Sequence, residues 1–231
     1  MKISILIPVY NDWESVSELI KNINIEIKDL DHEFSIIIIN DASLEKKELN
    51  FQSLENINLI ELIHMKENRG HARCIASGLK YIFEKKDFDY VIPMDGDGED
   101  RPSEIKDFIE HTDYSPNQTI VGERVKRSEK LFFKFCYNIH KILTFFLTGQ
   151  SIKFGNYTCL TKATVERMIS EKASWNSFSG ALTKIEKNRK SIGSIRGTRY
   201  FGPSKMSFIN LLKHSFSIIS VFRINVLIRS I

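Results

Sequence analysis

Two aspartates two residues apart, Asp95 and Asp97, follow the apolar run Tyr90-Val-Ile-Pro-Met94 and are interleaved with Gly96 and Gly98. Carboxylates at that spacing on a strand end, beside glycines that let backbone and ligand approach, suit Mg2+ or Mn2+ carrying a diphosphate. The bland reading of the same residues is an acidic turn. A calcium-binding EF-hand loop is excluded, because Asp100 stands at its glycine position and Lys106 at the position of its bidentate glutamate. The chain also lacks a G-x-x-x-x-G-K-S/T phosphate loop, a G-x-G-x-x-G turn, a G-x-S-x-G elbow and an H-E-x-x-H zinc motif.

Similar polar clusters close other apolar runs, and the pattern of runs says how the clusters are positioned. Ile3 to Val9 reads as a buried strand, after which Asn11-Asp12 can cap a helix carrying Val16, Leu19, Ile20, Ile23 and Ile27. Phe34 to Ile39, with four consecutive isoleucines, reads as a strand buried on both faces and ends in Asn40-Asp41-Ala42-Ser43. Ile57 to Ile63 is a third strand, followed by Glu67-Asn68-Arg69-Gly70 and a helix through Ile75, Leu79 and Ile82; Tyr90 to Met94 is the fourth. Thr112 to Gln118 reads as a surface loop and Thr119 to Gly122 as a short strand. Repetition of strand, polar turn and amphipathic helix predicts an α/β fold with a mainly parallel sheet flanked by helices. Its ligand should lie at the C-terminal strand ends, where the polar clusters fall.

Composition bounds the rest. With 231 residues, 42% hydrophobic and 27% charged, the chain has the makeup of one globular α/β core with a short appendage. We expect a main domain over 1–205 and a C-terminal segment over 206–231. A net charge of +4 is too small to argue for nucleic acid, but its distribution is uneven: Leu182 to Ile231 holds ten Lys/Arg against Glu186 alone. Cys74, Cys136 and Cys159 fit neither a disulfide framework nor a zinc knuckle, which favours a reducing compartment. The first apolar run is interrupted by Pro8, Asn11 and Asp12 too soon for a signal peptide or a membrane span. Leu131 to Leu147 and Ser207 to Ile228 mix aromatic and aliphatic residues with basic ones and read as interfacial helices, the alternatives being core helices or an oligomer contact.

Taken as an ordered set, Pro8-Val-Tyr10-Asn-Asp12, Asn40-Asp41-Ala-Ser43, Asn68-Arg-Gly70 with Gly78, and Asp95-Gly-Asp97 resemble family 2 glycosyltransferases of the GT-A fold. Gly96-Asp97-Gly-Glu99-Asp-Arg-Pro102, Val121-Gly-Glu-Arg124 and Arg199-Tyr-Phe-Gly-Pro-Ser204-Lys205 are similar to segments of their dolichol-phosphate and bacterial polyprenyl-phosphate members. The resemblance spans roughly residues 3 to 210. It implies that Pro8, Tyr10, Asp12, Asp41 and Gly70 serve the nucleotide, and that Asp95 and Asp97 hold Mg2+ or Mn2+ and the diphosphate. Glu99 would sit near the metal or sugar, departing from the glutamine usual there. Arg124, Arg199, Ser204 and Lys205 would gather on phosphates, as guanidinium forks and ammonium groups do. Lys130 or Lys134 would add a further phosphate contact, and His71 a substrate contact or a turn cap. Trp175 and Phe178 would line a sugar pocket or the core.

Inverting transfer to a sugar hydroxyl calls for a general base, and relatives acting on hydroxyls place a carboxylate late in the domain. Trp175-Asn-Ser-Phe-Ser-Gly180 carries none; between Ser151 and Lys190 the acids are Glu166, Glu171 and Glu186. A phosphate monoester, with its second pKa near ~6, is already ionised at neutral pH and needs positive charge instead. The expectation is therefore metal-dependent transfer from a nucleotide-diphosphate sugar to a polyprenyl phosphate, by a protein peripheral on the cytoplasmic face of the membrane, with or without a homo-oligomer or membrane partner. Rival readings are a hydroxyl-acceptor family 2 enzyme with its base at Glu166 or Glu186, a sugar nucleotidyltransferase, and a non-catalytic membrane module.

Overall fold

In the computed structural model, which describes residues 1–45, 54–126, 142, 144–203 and 208–229, the four apolar runs form four parallel strands. They are β1 (Lys2–Val9), β2 (Glu33–Asn40), β3 (Leu59–His64) and β4 (Tyr90–Pro93). Three more complete a seven-stranded sheet in the order β3-β2-β1-β4-β6-β5-β7: β5 (Thr119–Lys126), β6 (Phe154–Thr161) and β7 (Arg189–Ile195). β6 runs antiparallel to both β4 and β5, and β7 parallel to β5. The expected α/β sheet flanked by helices is thus present, with one strand reversed.

Side-chain alternation in the strands distributes the core over two faces. Ile3, Ile5 and Ile7 of β1 and Phe34, Ile36 and Ile38 of β2 pack in one cluster with α1 (Trp13–Glu26) and, on the same face, α3 (Ile105–Tyr114). Leu6, Ile37 and Ile39 point the other way, to α2 (His71–Lys85), α4 (Lys162–Ser170) and α5 (Phe178–Ile185). All four consecutive isoleucines of β2 are at most 1% exposed, as a strand covered on both faces requires.

Register fixes the functional edge. Val9 pairs with Asn40, and Asn40 with His64, so three strands end in one row. Met94 donates its amide to the Leu6 carbonyl at 3.0 Å, bringing β4 out beside them. Asp12, Asp41 and Asp95 therefore emerge along one rim, within three residues of their strand ends.

Several expectations shift. The third strand begins at Leu59 rather than Ile57, α3 runs through the first part of the expected loop, and the strand at Thr119 extends to Lys126. Asp12 occupies the N-cap position of α1 without capping it: one carboxylate oxygen accepts the Ser15 hydroxyl at 2.8 Å and the other goes to Arg199. The expected helix over Ser207 to Ile228 is two, α6 (Phe208–Val221) and α7 (Arg223–Arg229). α6 buries Ile218 and Phe222 follows it into the interior, while α6 packs on α5. The segment over 206–231 is accordingly anchored to the main core at its described residues. Most of Leu131 to Leu147 lies outside the described residues; within it, 144–147 are helical, and Phe145 and Phe146 are exposed.

Gly78 on α2 marks a close approach of helix to sheet, since a Cβ there would come within 2.3 Å of Leu6 Cδ1. Alanine gains about 1 kcal/mol of helix propensity, whereas overpacking a filled core costs about 1–3 kcal/mol. Gly78→Ala should therefore lower the urea midpoint of unfolding, and a midpoint at or above the parent's would mean that Leu6 yields without cost.

Candidate active site

Four of the expected residues meet at the rim. Arg199 lies between two carboxylates, its Nη1 2.8 Å from Asp97 Oδ2 and its Nη2 paired with Asp12, while its Nε donates to the Phe201 carbonyl at 2.8 Å. The Arg199 side chain is only 12% exposed. Asp95 stands beside this group. Its Oδ1 accepts Asn156 Nδ2 at 3.2 Å and lies 3.2 Å from His71 Nε2, and Asn156 and His71 are themselves 2.6 Å apart.

The strap from β7 to Phe201 brings Arg199 to the rim, and its path is built from the site's own loop. The Glu104 carboxylate, buried, accepts the Ser194 hydroxyl at 2.7 Å and the Ile195 amide at 2.8 Å, fixing the end of β7. Gly197 then donates its amide to the Glu99 carbonyl at 2.8 Å and Tyr200 to the Asp97 carbonyl at 2.9 Å. The Tyr200 ring covers Gly98, where a Cβ would meet it at 2.4 Å and where φ is +87°, so glycine answers both a steric and a conformational demand.

Charge here is crowded. Burial, reinforced by the neighbouring Asp95 charge, pushes Asp97 up to about 6 against the pull of Arg199 and Arg196. Asp100, whose Oδ2 accepts the Asp95 amide at 2.9 Å, is likewise raised by burial and by Asp95. For Asp95 burial works in the same upward direction, but His71, then Arg124 and Asn156, outweigh it and hold the carboxyl below the usual range. His71 is raised: burial disfavours its charge, and the Asp95 carboxylate overcomes that cost. Among the described residues no group of three or more His, Cys, Asp or Glu side chains is placed to hold a metal ion, which leaves the fit to the paired Asp95 and Asp97. Mg2+ and Mn2+ bind through one or two carboxylates with phosphate oxygens and water completing the shell, so Asp95 and Asp97 suffice on the protein side.

Other expected residues are placed differently. Asp41 is buried and gives one oxygen to the Arg69 amide at 2.7 Å and the other to the Gly70 amide at 2.8 Å, so it shapes the turn into α2. Glu99, expected near the metal, has its carboxylate paired with Arg196. Pro8 is buried in β1, and Tyr10 is exposed at the rim. The Arg124 guanidinium lies against Gly155, 3.1 Å from where a Cβ would be, and acts on Asp95 through its charge. Ser204, Lys205, Lys130 and Lys134 lie outside the described residues. Trp175 is half-exposed and Phe178 is buried in the core.

Sequence reading missed Asn156, Asp100 and Arg196. Asn156 sits in β6, a strand whose Phe154-Gly-Asn-Tyr-Thr-Cys-Leu-Thr161 lacks the continuous apolar run of the others. The available signal was Gly155-Asn156 inside an otherwise strand-like stretch. The acids held open as a hydroxyl base are also placed. Glu186 pairs with Arg167 and accepts from Thr164, three residues past Thr161, and Thr161 pairs with Tyr90 at the start of β4. That is the edge of the sheet opposite Asp95. Glu166 is exposed on α4.

Fold and site together define a GT-A glycosyltransferase, and comparison with known proteins agrees. Residues 4–178 match the family described as Glycosyl transferase family 2, and the chain belongs to that family. It is 28% identical to an undecaprenyl-phosphate 4-deoxy-4-formamido-L-arabinose transferase of Photorhabdus laumondii, over 95% of this chain and 67% of that protein. Its identity to the protein of the same name in Proteus mirabilis is 26%, with the same coverage. The chain thus spans about two thirds of the length of these relatives. Among solved structures, glucosyl-3-phosphoglycerate synthase of Mycobacterium tuberculosis, in complex with Mn2+, UDP-glucose and phosphoglyceric acid, superposes with a TM-score of 0.67 at 12% identity, covering 97% of this chain and 79% of that one. A Pyrobaculum calidifontis mannosyltransferase in complex with GDP-mannose and Mn2+ gives 0.56 at 13% identity, covering 99% and 72%.

Asp41 anchors the rim through two backbone amides, and each hydrogen bond to a charged acceptor contributes about 1.5–3 kcal/mol. Asp41→Ala strands two amides at the entrance to α2 and should reduce the unfolding free energy in urea by about 3 kcal/mol; an unaltered midpoint would show that water replaces the carboxylate.

Proposed function

We propose that this glycosyltransferase moves a sugar, with inversion, from a nucleotide-diphosphate sugar to a polyprenyl phosphate at the inner face of the membrane. The observation that carries the reading is the carboxylate rim itself. Asp95 and Asp97 end β4 beside Asp12 and Arg199, while no carboxylate stands on the Trp175 to Gly180 stretch to deprotonate a hydroxyl. The names of the 28% and 26% identical relatives favour an undecaprenyl-phosphate acceptor. With Glu186 at the far edge of the sheet, the hydroxyl-acceptor alternative loses one of its two bases.

Asp95 and Asp97 would hold Mg2+ or Mn2+, with Glu99 kept by Arg196. When bound, such an ion supplies charge neutralisation to the departing nucleoside diphosphate. Arg199 is poised to help, because its fork can move from Asp12 and Asp97 to diphosphate oxygens without leaving the notch. An ionised acceptor phosphate oxygen attacks the anomeric carbon, its bond to the donor phosphate oxygen breaks, and the nucleoside diphosphate leaves with the electron pair. No proton needs to be removed from the nucleophile. Pro8, Tyr10, Asp12, Asp41 and Gly70 would frame the nucleotide, and Arg124, Ser204 and Lys205 would add to the phosphate-binding charge.

Membrane attachment is proposed for the C-terminal helices. Phe216, Ile224, Leu227 and Ile228 are exposed, as are Phe145 and Phe146, and Arg229 Nε donates to the Phe146 carbonyl at 2.8 Å, linking the two segments. From Lys187 to Ile231 the chain carries no acid. Basic residues near anionic lipid contribute about 1 kcal/mol each. No helix among the described residues is long and apolar enough to cross a membrane.

Asp97→Asn should reduce transfer of radiolabelled sugar into the organic phase, from nucleotide sugar with Mn2+ and undecaprenyl phosphate, by at least about a hundredfold; retained transfer would remove the metal assignment. Replacing Ile224, Leu227 and Ile228 together by serine spares the buried Ile218 and Phe222. It should weaken binding to phosphatidylglycerol vesicles by at least about tenfold with nucleotide-sugar affinity unchanged, whereas equal vesicle binding would assign this face to something other than lipid.

A further inference from the structure

The position of Arg199 traces back to a carboxylate outside the rim. Glu104 ends the 3-10 turn Pro102–Glu104, which follows the loop carrying Asp95 and Asp97, and its side chain is only 8% exposed. One oxygen accepts the Ser194 hydroxyl at 2.7 Å, the other accepts the Ile195 amide at 2.8 Å, and Arg101 Nη1 lies 3.8 Å away. The backbone beneath it is also held. The Glu104 amide donates to the Arg101 carbonyl at 3.0 Å, and the same carbonyl accepts the Tyr157 hydroxyl at 2.7 Å.

Strand register shows what this contact does. β7 pairs with β5 step by step from Thr119–Arg189 to Arg124–Ser194, and the register then slips before Lys126 pairs with Ile195. A slip of this kind interrupts the ladder and re-aims the strand. Glu104 takes the residues on both sides of that step, so the chain is steered by the carboxylate where it stops being steered by β5. Beyond it the strap runs tight against the carboxylate loop: a Cβ on Gly197 would come within 2.8 Å of the Gly98 carbonyl oxygen, and the Gly197 and Tyr200 amides bond the Glu99 and Asp97 carbonyls. Arg199 lies between those two pinned amides, with its fork on Asp97 and Asp12. A carboxylate suits the task because both of its oxygens accept; an amide side chain in its place would accept from one donor and turn N–H groups toward the other.

We propose that Glu104 is a positioning residue for Arg199: through Ser194 and Ile195 it aims the strap so that the arginine fork stands where the donor diphosphate is received. The proposal rests on the phosphate role given to Arg199 above. Bidentate pairing tolerates little displacement, and an error of about 1 Å in a positioned group can cost on the order of a hundredfold.

Calorimetric titration of the full chain with Mn2+ pyrophosphate reads this without acceptor lipid or nucleotide base. Arg199→Gln should weaken binding at least about tenfold. Glu104→Gln should weaken it at least about fivefold when Arg199 is present. With Arg199 already replaced by glutamine, the same change should cost less than about twofold, since a residue that acts only through the arginine has nothing left to aim. Ser194→Ala removes one donor, leaves the carboxylate in place and should reproduce the pattern at smaller size, which keeps the test open if Glu104→Gln does not fold. Parental binding by both Glu104→Gln and Ser194→Ala overturns the proposal. Equal losses with and without Arg199 also overturn it and make Glu104 a support of the Asp95–Asp97 loop itself. Parental binding by Arg199→Gln is a separate result: it removes the phosphate role of Arg199, and the positioning role falls with it.

Discussion

The arrangement depends on one electrostatic constraint: carboxylates from separate strands are forced together at a single sheet edge. A parallel, in-register sheet brings Asp12, Asp41 and Asp95 to one rim because their strands end in the same row, and the turn after β4 adds Asp97 and Asp100. Like charges in a partly buried notch are unstable unless something positive is supplied. The protein supplies Arg199 between Asp12 and Asp97, Arg196 at Glu99, His71 at Asp95 and Arg124 nearby. Any remaining need for positive charge is what a divalent cation would meet.

The same constraint organises elements far from the strands. Glu104, beside α3, fixes the end of β7, β7 delivers the strap, and the strap is pinned by amides to the carbonyls of Asp97 and Glu99. Tyr200 closes over Gly98 and its hydroxyl accepts Asn22 Nδ2 at 3.1 Å, tying the strap to α1. An arginine over a hundred residues from Asp97 in sequence is thus held at hydrogen-bonding distance by backbone contacts of the strap. Replacing the carboxylate partners of Arg199 by substrate oxygens would leave those backbone contacts intact, so the strap can serve both states.

The two sides of α2 divide the labour. At its N-terminus Asp41 takes the Arg69 and Gly70 amides, and Gly70 adopts a φ of +87° that lets the chain turn into the helix. His71 then reaches the carboxylate rim while Arg73, two residues on and so on another side of the helix, lines an open pocket with Trp175. Burial places the two remaining described cysteines out of this chemistry: Cys74 and Cys159 are free and buried, and burial raises both thiols well above their ordinary range. They are packing residues here.

Fold class, the first four strands, the parallel sense of their connections and the polar rim were legible in sequence, because strands buried on both faces must be continuously apolar and a parallel sheet must collect its turns on one edge. Asp95 and Asp97 were legible for the same reason, as paired carboxylates at a strand end. What sequence could not give was partnership. β6 and β7 are partly polar and escaped notice, and with β6 went Asn156. Asp12 reads as a helix cap and is an arginine partner; for Asp41 and Glu99, read as ligand and metal contacts, the partners within the fold, the Arg69 and Gly70 amides and Arg196, were not legible. Local sequence sets which groups are available and on which element they ride. Which of several opposite charges a carboxylate meets is decided by long-range packing, here by where a strap almost two hundred residues from β1 returns to the sheet.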